Sequence, residues 1–350
     1  MSQTDPIDDF FGMPVDHEPV LIDRSTLERW SECPWQAWGI AHVLAMDPAS
    51  FEATSGSEAH DVIAKAVQAR IAGASYSELC ELLRIEAGNA RPDVQPDVCA
   101  ALKCASVIAG RLCYLASGSE RHPDDILCHD GGEGERRGQL AMDWPMEGAT
   151  YRLTGEVDLL LRTESASELD LDDWKTGNKH WTAGDVASSF QFQFYAELVF
   201  RRYPSCQQIN ARVHMPRLGY STEPVAFRQK DRTRIRSRIQ AALDLYHQHA
   251  GKSEASGIPC HPLPERCAWC PCCVPGKCPL VRREAKELPS SPEAMLELLA
   301  ATEAASKRIA GLLTERVRDT GREIESGKLR FGINKPAAAR ARKCDLYTLD

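Results

Sequence analysis

Several absences narrow the chain first. It has no uninterrupted apolar run of about eighteen residues, the length a bilayer-spanning helix needs. The stretch from Met1 to Asp16 is acidic and lacks the basic-then-apolar pattern of a secretory signal. A cytoplasmic setting with no membrane partner is the expectation. No G-x-x-x-x-G-K-[ST] occurs, which excludes P-loop nucleotide hydrolysis. No internal repeat is visible, which argues against solenoids and propellers. Basic residues are nearly missing from the first sixty positions, where Arg24 and Arg29 stand against eleven acids.

What is present is otherwise ordinary for a globular protein: 350 residues, 43% hydrophobic and 26% charged, enough for a real core. The fourteen cysteines are the exception. Without an export signal a disulfide framework is not expected. Six of them crowd into one stretch, at 260, 267, 270, 272, 273 and 278, which points to a metal or iron–sulfur site. Cys99, Cys104 and Cys113 fall in an Ala-rich segment and read as small core residues. The net charge of -8 hides segregation, because ten Lys/Arg face only Glu223 and Asp231 between 201 and 240. Such a stretch is either a phosphate-binding face or a solvated helix surface.

Residues 1–20 read as a disordered acidic tail. A helix is predicted from Asp23 to Trp38 with Ser25 as its N-cap, then an amphipathic helix over Ser57–Ile71 with Ala59, Val62, Ile63, Ala66 and Val67 on one face. Helical segments follow at Tyr76–Glu86 and Asp97–Ala116. Strands are predicted at Ile126–Cys128, Arg137–Trp144, Tyr151–Arg162 and Leu169–Lys175, separated by turn signals at Gly131-Gly132, Glu147-Gly148 and Thr163–Ser167. A helix over Asp185–Arg202, strands at Ile209–Met215 and Pro224–Arg228, a basic helix over Asp231–His249, a Pro-rich cysteine loop and a long helix over Pro292–Asp319 complete the pattern. This order implies an α/β fold with a small mixed central sheet flanked by helices, plus helical additions. The main domain is expected over 21–285, closed by the cysteine cluster, with a C-terminal helical appendage and basic tail over 286–350.

Two predicted strands carry a chemical constellation. In YRLTGEVDLLLR, alternation puts Thr154, Glu156 and Asp158 on one face and Leu153, Val157, Leu159 and Leu161 on the other. In LDLDDWKTG, Asp173 and Lys175 lie two apart and share a face. Pairing the two strands through the polar turn would set Asp158, Asp173 and Lys175 side by side. Two carboxylates and the Trp174 carbonyl suit Mg²⁺ or Mn²⁺, which prefer oxygen donors. Phosphodiester cleavage needs charge stabilisation at the phosphoryl oxygens and a deprotonated water, which such an ion and Lys175 can supply. A bare D-x-K is common and is more often surface acids beside a lysine; G-E-V-D, a turn and L-D-D-W-K-T-G together are not.

The composite resembles the PD-(D/E)XK nuclease superfamily, specifically its RecB-like branch, which includes AddB-type and CRISPR-adaptation exonucleases. The similarity runs from about residue 22 to residue 280. Gly56-x-x-x-His60 opens a helix upstream, and the resemblance implies that His60 joins the metal site. Gln191 and Tyr195 fit the Q-x-x-x-Y motif on the helix after the catalytic lysine, which implies a DNA-contacting or site-organising role. Glu135 lies near where the branch carries a further acid. Ser25–Trp35, STLERWSECPW, resembles the N-terminal cysteine motif. Taken singly, His60 reads as a helix histidine packed near Ile63 and Val67, and Tyr195 as a core edge; their order along the chain favours the site.

Cys267-Ala-Trp-Cys270 and Cys278 supply three thiolates. The resemblance supplies Cys33 as the fourth and implies a 4Fe–4S cluster on Cys33, Cys267, Cys270 and Cys278, with Cys272 and Cys273 as alternatives for one place. Zinc is the runner-up, since Cys₄ with a C-x-x-C is also a zinc signature. Cys260 and His261 lie close by and either support the ligands from behind or play no part on this reading. The resemblance implies a restriction-endonuclease-like core and a metal-dependent DNA exonuclease acting on free ends in recombination, repair or phage DNA processing. Any helicase or recombination protein would be a separate partner, given the missing P-loop. The rival reading is a non-catalytic, zinc-containing nucleic-acid-binding or scaffold protein, which has no need of the carboxylate pair.

Overall fold

The computed structural model describes residues 18–42, 51–254 and 256–261, together with Cys270, Cys278, isolated positions from 306 to 317 and strand segments between 324 and 348. Residues 1–17 of the acidic tail, Cys267, Cys272, Cys273 and nearly all of the helix expected over 292–319 lie outside the described residues, while Val20, expected in the tail, begins a strand. The chain divides into two compact units, Met1–Glu28 with Asp47–Ala242, and Arg29–Met46 with Leu243–Asp350.

The first unit opens with strand β1 (Val20–Asp23), whose alternation is too short to read from sequence because only Ile22 is buried. Asp23 then starts helix α1 (Arg24–Glu32): its carboxylate accepts from the backbone N and the hydroxyl of Thr26, both at 2.8 Å. Asp23 therefore caps the helix, and Ser25, assigned that role from sequence, donates to Asp23 instead. The expected Asp23–Trp38 helix breaks at Cys33, because Pro34 has no N–H to continue it and instead starts α2 (Pro34–His42).

Helices α3 (Phe51–Ile71), α4 (Tyr76–Gly88), α5 (Gln95–Ala101) and α6 (Ala105–Cys113) form a layer. Ala59, Val62, Ile63, Ala66 and Val67 do share a face, packing with Leu79, Leu83, Ile108 and Leu112 against Leu159, Leu161 and Trp174. The single helix expected over Asp97–Ala116 is split where Cys104 N donates to Pro216 O at 3.1 Å, a tertiary bond that local pattern does not announce.

Strands β2 (Ile126–His129), β3 (Gln139–Met146), β4 (Ala149–Glu156), β5 (Leu159–Arg162) and β6 (Glu168–Trp174) follow. Helices α7 (Ala183–Ser188) and α8 (Phe190–Arg202) come next, parted at Ser189. Strands β7 (Gln208–Met215), β8 (Tyr220–Ser221) and β9 (Val225–Arg228) lead into α9 (Arg232–His249). One sheet has the order β1-β4-β3; the larger runs β2-β5-β6-β7-β8, with β9 also on β7. Its β6–β7 pairing is parallel and the others antiparallel, so the sheet is mixed, as expected. The strand expected over Tyr151–Arg162 is two strands in two sheets, because the chain leaves the first ladder at Val157 and Asp158.

Helix α8 is buried from Phe190 to Phe200. Its approach to β4 depends on Gly155, where a β-carbon would sit 2.8 Å from Tyr195 Cε1.

In the second unit, Trp30, Trp35 and Trp38 pack with Ile258, Cys270 and Cys278. Trp38 Nε1 donates to Lys252 O at 2.8 Å and Trp35 N to Pro259 O at 2.9 Å. Strands β10 (Ile324–Ser326), β11 (Leu329–Ile333) and β12 (Cys344–Thr348) make an antiparallel sheet where sequence suggested only a helical appendage and a tail.

Candidate active site

Asp158 sits at the break between β4 and β5. Its carbonyl accepts from Asp130 N at 3.1 Å, and its carboxylate accepts from Trp174 N at 2.7 Å. The register Leu159↔Asp172 brings Asp158 beside Asp173, the neighbour expected from sequence. Along β6 the side chains alternate, so Asp173 and Lys175 share one face while Asp170, Asp172 and Trp174 take the other.

On the first face, Lys175 Nζ lies 2.8 Å from Asp173 Oδ2 and donates to Gln191 Oε1 at 3.2 Å. Gln191 Nε2 donates to Asp173 Oδ1 at 2.6 Å. One amide thus ties the acid to the lysine. Burial pushes the Asp158 carboxyl up to about 7, and the Asp173 carboxylate adds to this against His60, Lys175 and the Trp174 N–H. Burial opposes the charge on Lys175, but Asp173 and Asp158 outweigh it and hold its pKa above the ordinary value.

His60, on α3, places Nε2 3.0 Å from the Trp174 carbonyl oxygen. Its Nδ1 lies 3.7 Å from Asp158 Oδ2 and 3.9 Å from Asp130 Oδ2. Among the described residues, His60, Asp130 and Asp158 bring one ligand atom each within 4.8 Å of one another. Asp130 was not singled out from sequence. The acid named there, Glu135, is exposed in the short 3₁₀ turn Gly134–Arg136. The signal for Asp130 was topological: β2 pairs with β5, and His129↔Leu159 sets Asp130 across from Asp158. Asp130 also hydrogen-bonds Glu156, whose carboxyl is raised by burial and by that neighbour.

Tyr195, one turn beyond Gln191, hydrogen-bonds Arg24, whose Cζ lies 5.9 Å from the ring centre. Burial keeps the phenol protonated, with Asp173 and Asp158 acting in the same direction. Arg24 is a second omission of the sequence reading; its charge bears on Lys175 from the start of α1.

The far face explains the remaining acids. Arg111 donates to Asp170 at 2.6 Å and pairs with Asp172, and His214 Nε2 lies 3.2 Å from Asp172. Burial opposes ionisation of Asp172, yet Arg111 and His214 hold it well below the usual carboxylate range. The first acid of the D-D pair is therefore structural.

Five of the ten basic residues over 201–240 are engaged within the fold, while Arg202, Arg228, Lys230 and Arg234 are exposed. Arg201 and Arg232 reach the buried Glu197 carboxylate at 3.2 and 2.9 Å, with Arg236 at 3.8 Å. Arg217 holds Asp97 and the Thr176 carbonyl, and Arg238 the Ser188 carbonyl, each at 2.8 Å. These guanidiniums tie elements together rather than forming one open face.

In the second unit, Cys270 and Cys278 belong to one buried cluster, with the half-buried Cys33 and Cys260 packed against it. Cys260 Sγ lies 3.8 Å from Cys278 Sγ. A hydrogen bond from Cys260 holds the Cys33 thiol down at about 7, against burial. Three of the four thiols named from sequence come together, and Cys260, set aside there, joins them.

Residues 24–274 match the family model described as the PD-(D/E)XK nuclease superfamily. The mixed sheet flanked by helices agrees with a restriction-endonuclease-like core. No curated protein matches the chain. A solved structure titled "Crystal structure of SSO0001" is similar at 14% identity over 75% of this chain and 89% of that one, with a TM-score of 0.33. A likeness at that score bears no weight here.

Proposed function

The chain belongs to the PD-(D/E)XK nuclease superfamily, and we propose that it is a divalent-metal-dependent DNA exonuclease of the RecB-like branch, acting on free ends in recombination, repair or phage DNA processing. The observation that carries this is the meeting of Asp158, Asp173 and Lys175 beside His60 and Asp130. The carboxylates and the carbonyl are hard oxygen donors that fit Mg²⁺ or Mn²⁺, and the imidazole adds a borderline nitrogen donor beside them. Asp158, Asp173, the Trp174 carbonyl and His60 would hold the ion, with Asp130 as a further ligand. When bound, the ion supplies Lewis-acid polarisation of the phosphate and a lowered pKa for water. Lys175, kept cationic by its two carboxylate neighbours, stabilises charge developing on the phosphoryl oxygens. Gln191 fixes Lys175 against Asp173, and Tyr195 presents a protonated hydroxyl beside them.

The cysteine cluster is the closing element of a nuclease domain over 21–285, followed by an appendage over 286–350. We assign a 4Fe–4S cluster to Cys33, Cys267, Cys270 and Cys278, with zinc as the alternative occupant. The donor set fits: Cys270 and Cys278 are buried together and Cys33 packs against them. Cys267 rests on the family resemblance. Binding there would be structural, because ligand binding to a site absent from the unfolded chain is folding energy.

The test uses anaerobically purified full chain with end-labelled single- and double-stranded DNA, Mg²⁺ or Mn²⁺, and Lys175→Ala in parallel. Expected is metal-dependent shortening from ends, lost in the variant while its circular dichroism is unchanged. DNA left intact under every metal would overturn the reading.

A further inference from the structure

The face that carries Asp173 and Lys175 continues past them. Lys175 N donates to His214 O at 2.9 Å, the bond that sets Lys175 beside Met215 in a parallel ladder. Met215 in turn pairs with Tyr220. Directly paired residues project to the same side of a sheet, so Tyr220 stands on the side of Lys175, two strands over and about 10 Å away by strand spacing.

The loop after Lys175 returns over this face. Trp181 N donates to the Met215 sulfur at 3.3 Å. The Trp181 ring centre lies 5.5 Å from Lys175 Nζ and 4.5 Å from Lys179 Nζ. His180 stacks on Tyr220 with ring centres 4.7 Å apart and planes 26° from parallel. Lys179 and His180 are exposed, Tyr220 is 38% exposed, and Leu218 on the same turn is 43% exposed. An open pair of stacked rings adds little to a core, and the cleavage chemistry above does not use it.

We propose that His180, Tyr220 and Trp181, with Lys179, form a base-stacking platform that holds single-stranded nucleic acid at the mouth of the active site. This rests on the nuclease reading and names its substrate class. The rings offer π-faces, which unpaired bases of any sequence can use, whereas the bases of a duplex already cover one another. Lys179, exposed and 3.6 Å from the Asp185 carboxylate, supplies a cation that a phosphate within reach of the same rings would share. The platform directly follows the lysine that would act on the phosphate, so a stacked strand is already delivered to it.

The experiment measures fluorescence anisotropy of the full chain in EDTA, so that no cleavage is needed. The probes are a fluorescein-labelled oligothymidylate and a labelled blunt hairpin duplex. Tyr220→Ala and His180→Ala are each expected to weaken oligothymidylate binding about tenfold, which is about 1.4 kcal/mol, and to leave hairpin binding unchanged. Tyr220→Phe, which keeps the ring, is expected to restore the parent value. Unchanged oligothymidylate binding in the alanine variants, or an equal loss on both probes, would overturn the platform, with thermal midpoints checked to show that each variant folds. If the parent cleaves DNA but these bindings do not move, the platform alone fails; if Lys175→Ala and the parent leave DNA equally intact, the nuclease reading fails whatever the binding shows.

Discussion

Gln191 serves two partners with one side chain, accepting from Lys175 and donating to Asp173. Replacing it with leucine keeps the volume and leaves two polar groups without that partner, one of them on a carboxylate that is 3% exposed. A buried polar group stripped of its partner costs about 1–3 kcal/mol of stability, and because Lys175 and Asp173 are no longer tied together, Gln191→Leu is also expected to lower kcat about tenfold or more. Because the amide positions the site rather than reacting, DNA affinity in EDTA should hold; a fall in affinity with kcat intact would make it a substrate contact. Asp130 allows a sharper comparison. Asp130→Ala is expected to weaken Mn²⁺ binding, read by titration calorimetry, while Glu135→Ala leaves it unchanged; the reverse pattern would return the role to Glu135. These two acids also show how far the sequence reached. Asp173 and Lys175 share a face as a two-residue period reads them, whereas Asp158 reaches them through the β5–β6 register, because the period of its own predicted strand breaks at Val157 and Asp158. Asp130 was not legible, because its neighbour is set by the β2–β5 pairing, a contact between distant segments that no local period encodes.

At the scale of elements, existence and type were mostly legible and breaks were not. Three of the missed breaks have a tertiary or single-residue cause: Pro34 in the first helix, the Cys104–Pro216 bond after α5, the exchange of sheets at Asp158. Two elements now carry testable weight. In α8, whose position sets Gln191 and Tyr195, Gly155→Ala forces a β-carbon to within 2.8 Å of the Tyr195 ring and 3.2 Å of Leu198 Cδ1. Overpacking of this kind costs about 1–3 kcal/mol, and the helix must shift. Both a lower denaturation midpoint and slower cleavage are expected; a variant as stable and active as the parent would mean that α8 has room to give. In α1, burial tends to raise the Asp23 carboxyl, but hydrogen bonds from Ser25 and Thr26 outweigh it and hold the pKa below the ordinary 3.8. A carboxyl depressed on folding stabilises fully above its unfolded pKa, and that stability is lost as pH falls through the folded value. Asp23→Ala should therefore cost about 1 kcal/mol at neutral pH. The gap between parent and variant should close as pH falls below about 4. A gap independent of pH would remove the charge from the cap.

At the scale of the whole chain, the described cysteines named from sequence as ligands fall in one compact unit. Cys33 and Cys278 are 245 positions apart, yet the same compact unit holds Arg29–Met46 and Leu243–Asp350. Its described core is small: three tryptophans, Ala37, Ile258 and the thiols, with Leu245, Tyr246 and Ala250 packed against them. The first unit instead has a layered core from Ala59 to Trp174 that contains none of these cysteines. If a bound cluster supplies folding energy where the core is thin, its loss should act unevenly, and one unfolding free energy will not describe the chain. Hydrogen exchange read by mass spectrometry on cluster-loaded and cluster-stripped protein is expected to show protection lost in peptides covering 29–42 and 243–261. Peptides covering 59–112, within α3 to α6, should keep theirs. Cys33→Ser should reproduce the stripped pattern without any chemical treatment, which separates loss of the cluster from damage by the stripping agent. Uniform loss across both sets would mean the chain opens as one cooperative whole. No loss in either would mean that the thiols pack as ordinary core residues, with Cys260 and Cys278 in simple contact and nothing bound between them.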